Sequence, residues 1–278
     1  MARSTVDLPT RLLRNLQPWR QAKRWRVAFS GGLDSTVLLH LLAHLAKNHS
    51  LPALSAIHIH HGLQAAADAW PAHCQAICDA LGVPLAIVHV HVDAGASLEQ
   101  AARAARYGAF IEATQPGDVM LAAQHRDDQA ETVLFRLLRG TGSRGLAAMP
   151  TQRPLGRGHL LRPLLDVSRA ELEAYAREHR LLWIEDPSNA DQQFSRNYLR
   201  QQVFPVLLDL DHPAFHVNLD RLTHCAARAD EGKAAGGLAG GLKRAFWSLA
   251  GAAVFARMYF IPVKSNALPA TTRLVPRW

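Results

Sequence analysis

A glycine-rich segment near the start of the chain, SGGLDS, combines residue types that suit phosphate binding. It directly follows an apolar run and opens a helical pattern, so it is predicted to join a buried strand to a helix. Its glycines let the backbone approach a ligand closely, and its serine hydroxyls and helix N-terminal amides supply donors for phosphate oxygens. The predicted phosphate-binding residues are Ser30, Gly31, Gly32, Leu33, Asp34 and Ser35.

Asp34 is the one carboxylate in this segment. A carboxylate beside bound phosphates repels them unless a cation lies between, so Asp34 is predicted to bind Mg²⁺. The patterns GxxxxGK[ST] and GxGxxG are absent, which argues against a P-loop and a dinucleotide-binding fingerprint. The segment is therefore expected to hold a pyrophosphate group with its magnesium and to leave the α-phosphate of a nucleotide open to attack.

Two further carboxylates, Asp128 and Glu131, are three residues apart in a segment with helical periodicity. They therefore share one face of the predicted helix, near the carboxyl end of the strand before it. Carboxylates in such a position can bind a cation and accept a proton. Asp127 precedes them and is predicted to cap the helix. His125, at the end of the strand, is a further candidate site residue.

Three histidines follow the second predicted strand without the partners of a metal site. Strand alternation puts His58 and His60 on one face and His61 on the other, with no cysteine or carboxylate beside them. His61 and Gly62 are expected near the nucleotide. The other two histidines are expected in packed or surface positions.

The elements that must position these residues alternate between strand and helix from Arg24 to about Leu210. Short apolar or β-branched runs predict strands that are buried on both faces. These runs are RWRVAFS, ALSAIHIH, PLAIVHVHV, DVMLAAQ and HLLRPLL. Helices are predicted at Ser35–Lys47, Asp68–Leu81, Ser97–Thr114, Asp127–Arg139 and Ser168–Arg180.

This alternation predicts an α/β fold of the doubly wound type, with a mainly parallel sheet and helices on both faces. In such a fold, ligands bind outside the carboxyl ends of the strands. Ser97 with Gln100, and Ser168 with Glu171, fit capping boxes at the starts of their helices.

Composition describes an ordinary globular chain of 278 residues, with 49% hydrophobic and 19% charged residues. Three cysteines are too few for a disulfide framework and no secretory signal opens the sequence, so a reducing cytoplasm is expected. Cys74 and Cys78 lack the second pair that a zinc site needs and are expected to pack in the core. The longest apolar stretch is interrupted by Arg257 and is too short to span a bilayer, so no membrane partner is expected.

Basic and acidic residues are distributed unevenly along the chain. The net charge is +8, which indicates an anionic partner, yet residues 1–231 hold 24 basic and 23 acidic residues. Residues 232–278 hold the other 7 basic residues and no acidic one. The predicted organisation is an N-terminal helical arm over 1–23, an α/β domain over 24–211, a helical linker over 212–231 and an atypical basic, glycine-rich tail over 232–278.

Five segments together resemble one enzyme family. The SGGLDS loop resembles the PP-loop of the N-type ATP pyrophosphatases, which have an adenine nucleotide α-hydrolase-like fold. The segments IHIHHGLQ, SLEQAARAARYGAF, AAQHRDDQAETVLFRLLRGTG and DPSNADQQFSRNYLR resemble further motifs of the tRNA(Ile)-lysidine synthetases within that superfamily. The resemblance extends from about Trp25 to about Arg228 and is far more specific than any one motif.

The resemblance implies a ligase that uses ATP and Mg²⁺ to attach free lysine to C2 of the wobble cytidine in the isoleucine tRNA with a CAU anticodon. An adenylated tRNA is the implied intermediate, and AMP and pyrophosphate are the products. Asp34, Asp128 and Glu131 are the implied catalytic residues, the last two as the lysine site. Arginine suits phosphate groups, and the implied contacts to ATP phosphates, AMP and tRNA are Arg103, Arg106, Arg139, Arg196, Asn197 and Arg200.

Two alternatives stay open from the sequence alone. One is another PP-loop tRNA-modifying enzyme such as a 2-thiolation enzyme, although paired cysteines one turn apart in a helix suit that chemistry poorly. The other is a non-catalytic RNA-binding protein on the same scaffold, which the carboxylates of the site argue against. The oligomeric state is not indicated.

The resemblance fades where longer members of the family continue into further domains. Residues 232–278 are therefore hypothesised to be a foreign tail that arose by frameshift or truncation. The rival hypothesis is a genuine basic arm that binds phosphates without folding.

Overall fold

Six strands form one sheet in the order β3-β2-β1-β4-β6-β5. All neighbouring strands run parallel except β5, which is antiparallel to β6. The strands are β1 (Arg24–Ala28), β2 (Ala53–His60), β3 (Leu85–His89), β4 (Asp118–Leu121), β5 (Gln152–Leu155) and β6 (Gly158–Leu161). The chain winds outward from β1 to β3 on one side and from β4 to β6 on the other, so the predicted doubly wound fold is confirmed.

The computed structural model describes residues 7–63, 65–92, 98–187 and 195–209, together with residues 222, 223 and 226. At residues 65, 66, 143, 144, 195, 196, 208 and 209 it describes the backbone only. The predicted cap at Ser97, most of the predicted linker over 212–231 and the tail over 232–278 lie outside the described residues.

Helices connect the strands and continue beyond the sheet. They are α1 (Leu8–Leu16), α2 (Leu33–Asn48), α3 (Trp70–Leu81), α4 (Leu98–Ala113), α5 (Arg126–Leu138), α6 (Ser143–Leu146), α7 (Arg169–Glu178), α8 (Ser195–Tyr198) and α9 (Phe204–Asp209). Short 3₁₀ turns at Gln17–Trp19 and Ala65–Ala69 precede β1 and α3, and a π-helical turn at Leu199–Val203 joins α8 to α9. The five predicted helices are confirmed as α2, α3, α4, α5 and α7. None of the helices in the described part of the chain is long and apolar enough to cross a membrane.

Side chains from the strands alternate between two apolar clusters, one on each face of the sheet. Trp25 and Val27 of β1 pack in the cluster that α1, α2, α3 and α7 cover. Ile57 and Ile59 of β2 pack in the second cluster, which α4 covers through Phe110. Helices therefore lie on both faces, as predicted.

The predicted N-terminal helical arm is α1. Leu12 and Leu16 of this helix are each 1% exposed within the main apolar cluster. Burial of a leucine side chain contributes about 1.5–3 kcal/mol, so α1 is held firmly against the α/β unit.

The hairpin of β5 and β6 is one feature that the sequence analysis missed. A single strand was predicted over HLLRPLL, but the strand ends at Leu161 and a second strand precedes it. Pro154 lies in β5, at the edge of the sheet, where a residue without an N–H donor is tolerated. The sequence analysis missed this strand because a proline argues against a strand in the middle of a sheet.

The predicted cap of α5 is also corrected. His125, and not Asp127, is the N-cap residue, and its Nδ1 accepts hydrogen bonds from the N–H groups of Asp127 and Asp128 (3.2 and 3.4 Å). Asp128 completes the capping box by accepting from the His125 N–H (3.0 Å). The Asp127 carboxylate instead accepts from the N–H of Arg169, the first residue of α7 (2.9 Å).

The capping box predicted at the start of α7 is confirmed. Ser168 accepts from the Glu171 N–H through Oγ (3.2 Å), and the Glu171 carboxylate accepts from the Ser168 N–H (2.8 Å). This cap fixes the start of the helix that carries Arg169 beside Asp34.

We expect Ser168→Ala to lower the free energy of unfolding by about 1 kcal/mol, because the first turn of α7 loses its side-chain acceptor. Ser168→Thr keeps the hydroxyl and should lose much less. Urea unfolding of the three proteins, followed by circular dichroism, measures both differences. Equal destabilisation by the two substitutions would contradict a capping role for the hydroxyl.

Candidate active site

The SGGLDS loop lies at the carboxyl end of β1, where β2 and β4 flank it on either side. Its own serines hold it in shape. The Oγ atoms of Ser30 and Ser35 are 3.0 Å apart, and the Gly32 N–H donates to Ser30 Oγ (3.3 Å). Ser35 Oγ also donates to the Gly32 carbonyl (3.0 Å). The loop is therefore organised before any ligand binds.

The loop opens α2 with a helix start that suits an anion. Gly32 is the N-cap residue and offers the N–H groups of the first turn no side-chain acceptor. Uncapped N–H groups and the helix dipole attract negative charge, so this end of α2 is suited to bind an anion such as phosphate. Leu33 is buried in the main core and can contact a ligand only through its backbone.

Gly31 allows the tight turn between Ser30 and α2. Its φ of +84° is one that residues with a side chain rarely adopt, and its carbonyl accepts from the Ile184 N–H (2.8 Å). A Cβ atom here would lie 2.6 Å from Ile184 Cδ1 and 2.9 Å from Cys74 Sγ. Only glycine fits this position without displacement of its neighbours.

A cavity of about 340 Å³ lies above the loop. Ser30, Gly32, Asp34 and Ser35 line its polar end. Its other walls include apolar side chains, namely Phe29, Ile57, Ile59, Phe110 and Leu160. A polar end with anion donors beside apolar walls suits a nucleotide, whose phosphates and base need these two environments.

Several polar atoms in this cavity are buried and have no hydrogen-bond partner in the structure. They are Asp34 Oδ1, His58 Nε2, His61 Nδ1 and Gln124 Oε1, and His125 Nε2 is a further one beside Asp34. Buried polar atoms are almost always paired in folded proteins, and an unpaired one costs free energy. A group of them around one cavity indicates that a polar ligand completes their hydrogen bonds.

Asp34 stands between the loop and the charged residues of α5 and α7. Its Oδ2 lies 3.7 Å from His125 Nε2 and 3.7 Å from Arg169 Nη1, and its Oδ1 is buried without a partner. Burial raises the pKa of Asp34, and the two cations oppose that shift. A cation bound at Oδ1 would favour the ionised form further.

The chemistry of the site at Asp34 fits Mg²⁺, because it offers one carboxylate as a ligand. Magnesium is usually held in nucleotide sites by one or two carboxylates, with phosphate oxygens and water as its other ligands. The described residues contain no group of three or more histidine, cysteine or acidic side chains placed to hold a metal ion. Asp34 would therefore hold the ion together with phosphate oxygens.

His125 is 1% exposed and faces three carboxylates. Burial alone would lower its pKa, but the carboxylates outweigh burial and raise it. The two backbone N–H groups aimed at Nδ1 have the opposite effect, because they require a lone pair on that atom. The capping geometry thus assigns the proton to Nε2, which lies 3.5 Å from Asp128 Oδ2 and faces Asp34.

Glu131 and Arg200 form a bidentate ion pair. Arg200 donates from Nε to Oε1 (2.6 Å) and from Nη2 to Oε2 (2.9 Å). Burial raises the pKa of Glu131, which is 3% exposed, and the guanidinium opposes that shift. Both oxygens act as acceptors, as an ionised carboxylate does, so we assign the pair as charged. The pair joins α5 to the π-helical turn between α8 and α9.

Asp128 is more accessible than Glu131 and lies between two cavities. Its side chain is 23% exposed, and Oδ1 lies 3.6 Å from Arg200 Nη2. It lines the first cavity and also a second one of about 530 Å³. Four arginines line the second cavity, namely Arg103, Arg106, Arg136 and Arg139. A carboxylate at this junction can meet both a nucleotide and an anionic ligand of the second cavity.

The other predicted site residues differ in their position relative to the first cavity. His61 lines the first cavity, whereas Gly62, with a φ of +62°, is outside its lining. Asn197 is buried within α8, three residues before Arg200. The side chain of Arg196 lies outside the described residues.

Two site residues were not predicted. His58 was expected to be packed, and it is 2% exposed, but it also lines the first cavity. Its Nδ1 donates to the Phe29 carbonyl (3.0 Å), which leaves Nε2 as an acceptor. Arg169, at the first position of α7, has its guanidinium beside Asp34. The only feature of the sequence that could have indicated this position was the capping box at the start of the helix.

Comparison with known proteins identifies the family of this chain. A family model for the PP-loop domain matches residues 5–207. The chain is 68% identical over 221 residues to the tRNA(Ile)-lysidine synthase of Pseudomonas fluorescens, which is 80% of this chain and 50% of that protein. It is 70% identical over 204 residues to the tRNA(Ile)-lysidine synthase of Pseudomonas syringae pv. tomato, which is 73% of this chain and 46% of that protein. The chain thus spans about half the length of these curated relatives.

Among solved structures, the U34-tRNA thiolase NcsA from Methanococcus maripaludis is similar in fold, with a TM-score of 0.63 at 18% identity. The match covers 80% of this chain and 78% of that one. At this identity the likeness supports the fold alone. The family match over residues 5–207, and a glycine turn that opens α2 beneath a nucleotide-sized cavity, show that the chain belongs to the PP-loop domain family.

Proposed function

We propose that this chain attaches free lysine to C2 of the wobble cytidine of isoleucine tRNA with a CAU anticodon, at the expense of ATP. The observation that carries the proposal is the position of Asp128 on the wall of both cavities, one built for a nucleotide and one lined by arginines. Relatives at 68–70% identity, matched over about half their length, are named for lysidine synthesis. The cytoplasm is the expected location of such an enzyme.

ATP is proposed to bind in the first cavity. The N-terminus of α2 and the loop serines would bind its phosphates, and the apolar walls would contact the base. Mg²⁺ held by Asp34 would neutralise phosphate charge and make pyrophosphate a better leaving group. The loop would keep the pyrophosphate end fixed while the α-phosphate faces the second cavity.

The first half-reaction is proposed to activate the cytidine. Its C2 carbonyl oxygen attacks the α-phosphorus of ATP, a P–O bond to pyrophosphate breaks, and the oxygen becomes bonded to AMP. Without this step the carbonyl oxygen is a poor leaving group. His125 Nε2–H and Arg169 lie beside Asp34 and are proposed to stabilise negative charge near the reacting phosphate.

The second half-reaction is proposed to use the two carboxylates of α5. The lysine ε-amine is protonated at neutral pH, with a free pKa of about 10.4, so it must lose a proton before it attacks C2. The carbon–nitrogen bond forms as the C2–O bond breaks and AMP leaves with the oxygen. Asp128, which is more accessible than Glu131, is proposed to bind the ammonium first and to accept the proton that it loses.

Glu131 is proposed as the second lysine contact. Whether its carboxylate can bind the ammonium is proposed to depend on the position of Arg200. Both Glu131 oxygens accept from Arg200 in the structure, so ammonium binding requires the guanidinium to share or leave this carboxylate. A phosphate of ATP or AMP is the partner that would draw Arg200 away.

The tRNA is proposed to enter through the second cavity. Arg103, Arg106 and Arg139 line its walls, which supports the proposal that they contact phosphate groups and tRNA. Arg139 also stacks on Phe135, with its guanidinium carbon 5.2 Å from the ring centroid. Arginine on an aromatic surface is suited to bind RNA phosphates and bases.

The alternative of sulfur transfer finds less support in the described residues. Cys74 and Cys78 are fully buried, and burial raises the pKa of the Cys74 thiol to about 12 and that of Cys78 to about 11. A thiol must ionise to act as a nucleophile, so neither is prepared for that chemistry. Their burial agrees with the packing role predicted from the sequence.

Lysine-dependent release of AMP, with an unmodified CAU-anticodon isoleucine tRNA transcript, tests the proposed function. Asp34→Asn should lower this release by about a thousandfold or more, because a metal contributes several kcal/mol to such a transition state. Asp79→Asn is the matched control, since Asp79 is exposed on α3 and should have no effect. A folded Asp34→Asn protein with normal AMP release would remove Asp34 from the reaction, and no lysine-dependent AMP release by the wild type would overturn the proposal.

Gly31→Ala should abolish the stabilisation of the protein by Mg·ATP. The added methyl group meets Ile184 and Cys74, so the loop must move away from its phosphate-binding shape. Gly82→Ala is the matched control, because Gly82 also has a positive φ but empty space around it. At a ligand concentration of 100 Kd, the wild type and the control should gain about 2.7 kcal/mol, measured as a thermal shift. A full shift for Gly31→Ala would contradict the role of this turn.

Asp128→Asn and Glu131→Gln should each raise the KM for lysine about ten- to a hundredfold, because a hydrogen bond to a charged group is worth about 1.5–3 kcal/mol. Both substitutions keep one acceptor oxygen, so the α5 cap and one of the two Arg200 hydrogen bonds should persist. Lysine-independent release of pyrophosphate should suffer less. If Glu131→Gln lost pyrophosphate release and kept its lysine KM, Glu131 would serve the first half-reaction by holding Arg200.

A further inference from the structure

Tyr107 on α4 lies among guanidinium groups. The guanidinium carbon of Arg103, one turn earlier in the helix, is 4.8 Å from the ring centroid, and that of Arg153 on β5 is 4.9 Å from it. Arg103 Nη2 also donates to the Tyr107 hydroxyl (3.3 Å). The hairpin that the sequence analysis missed thus brings a second arginine to this ring.

A third arginine lies close behind this group. Arg162, which follows β6, is 4% exposed, and its buried Nε has no hydrogen-bond partner in the structure. Burial lowers the pKa of Arg162, the interaction with Tyr107 opposes that shift, and the charges of Arg153 and Arg103 add to it. For Tyr107, burial alone would raise the pKa, but the arginines lower it.

The positive charge of this cluster is not balanced within the described part of the chain. Arg103, Arg153 and Arg162 make no ion pair with a carboxylate there, in contrast to Arg169 and Arg200 at the active site. Like charges held close together oppose folding, and more so where burial removes water. A cluster of this kind is explained by an anion that binds to it.

The cluster lies where the two cavities approach each other. Tyr107 lines the first cavity, and Arg103 lines the second. None of the residues of the SGGLDS loop lines the second cavity, so an anion beside Arg103 is separate from the phosphates that this loop holds. The ligand of the second cavity is the source of that anion.

We propose that Arg103, Tyr107 and Arg153 bind a backbone phosphate of the RNA substrate, adjacent to the nucleotide that reacts at Asp128. The guanidinium groups of Arg103 and Arg153 and the phenol hydroxyl of Tyr107 supply the donors. The buried Arg162 adds positive charge close to them. The inference rests on the proposed function, because it takes the ligand of the second cavity to be RNA. It adds a contact that fixes the register of the RNA, since a phosphate held here limits which nucleotide reaches the first cavity.

Arg153→Gln tests the site, with Arg157→Gln as the matched control. Arg157 is exposed four residues further along the same hairpin and contacts only the side chain of Gln115 among the described residues. Both substitutions remove one positive charge. Binding of the isoleucine tRNA transcript is measured as a function of salt concentration, and the thermal shift with Mg·ATP is measured in parallel.

For Arg153→Gln we expect binding about tenfold weaker at low salt, and a slope of log K against log salt that is smaller by about one. Arg157→Gln should leave the affinity and the slope as in the wild type. Tyr107→Phe keeps the ring and removes one donor, so it should weaken binding without a change in the slope. The thermal shift with Mg·ATP should stay unchanged in Arg153→Gln and Arg157→Gln, whose side chains are outside the lining of the first cavity.

The other outcomes distinguish failure of this site from failure of the proposed function. Equal slopes for Arg153→Gln and Arg157→Gln would show that no phosphate binds at the cluster. A smaller thermal shift with Mg·ATP for Arg153→Gln, with unchanged tRNA binding, would assign the anion to ATP. A wild type that binds no tRNA would overturn both this site and the proposed function. If Arg153 changed the slope but lysine-dependent AMP release were absent, the RNA site would stand and the proposed reaction would fail.

Discussion

The end of β1 is the constraint on which the site depends. The last sheet hydrogen bond of this strand runs from the Phe29 N–H to the Ile57 carbonyl (2.8 Å), and the Phe29 carbonyl then accepts from His58 (3.0 Å). Gly31 turns the chain with a positive φ, and its carbonyl accepts from the Ile184 N–H (2.8 Å). Contacts on both sides thus fix the direction in which α2 begins. Because these contacts fix the direction of α2, its uncapped N–H groups lie at the cavity.

The two buried acids of the site, when ionised, oppose folding at neutral pH when no ligand is bound. Burial raises the pKa of Asp34 and of Glu131, so each acid favours the folded state while it is protonated. That contribution is present below the pKa of the unfolded chain and is lost as the pH rises through the higher folded pKa. Arg169 and Arg200 offset part of this cost. Bound cations, a magnesium ion or a lysine ammonium, would offset more of it, so binding and stability are linked here.

The sequence predicted the elements that depend on local periodicity and missed those that depend on distant partners. Five strands and five helices were predicted because buried strands and amphipathic helices have different periods. The cap of α5 was assigned to Asp127 because the rule considers only nearby residues, whereas that carboxylate binds the N–H of Arg169, 42 residues away. Pro154 concealed β5 for a similar reason, since only the sheet order shows that the strand is at an edge. The loop at Ser30–Ser35 was predictable because its chemistry is contained in six consecutive residues.

The Glu131–Arg200 pair shows why the rest of the site could not be read from spacing. Its partners are 69 residues apart, and the family resemblance implied a separate role for each, one for lysine and one for phosphate. A buried ion pair loses so much solvation that apolar residues of similar volume would often be as stable or more so. Stability therefore does not explain the pair. A guanidinium that exchanges a carboxylate for a phosphate would explain it, because in the proposed mechanism the movement that binds the nucleotide would release the acid for the amine. The pair is then the physical link between the two half-reactions that we propose.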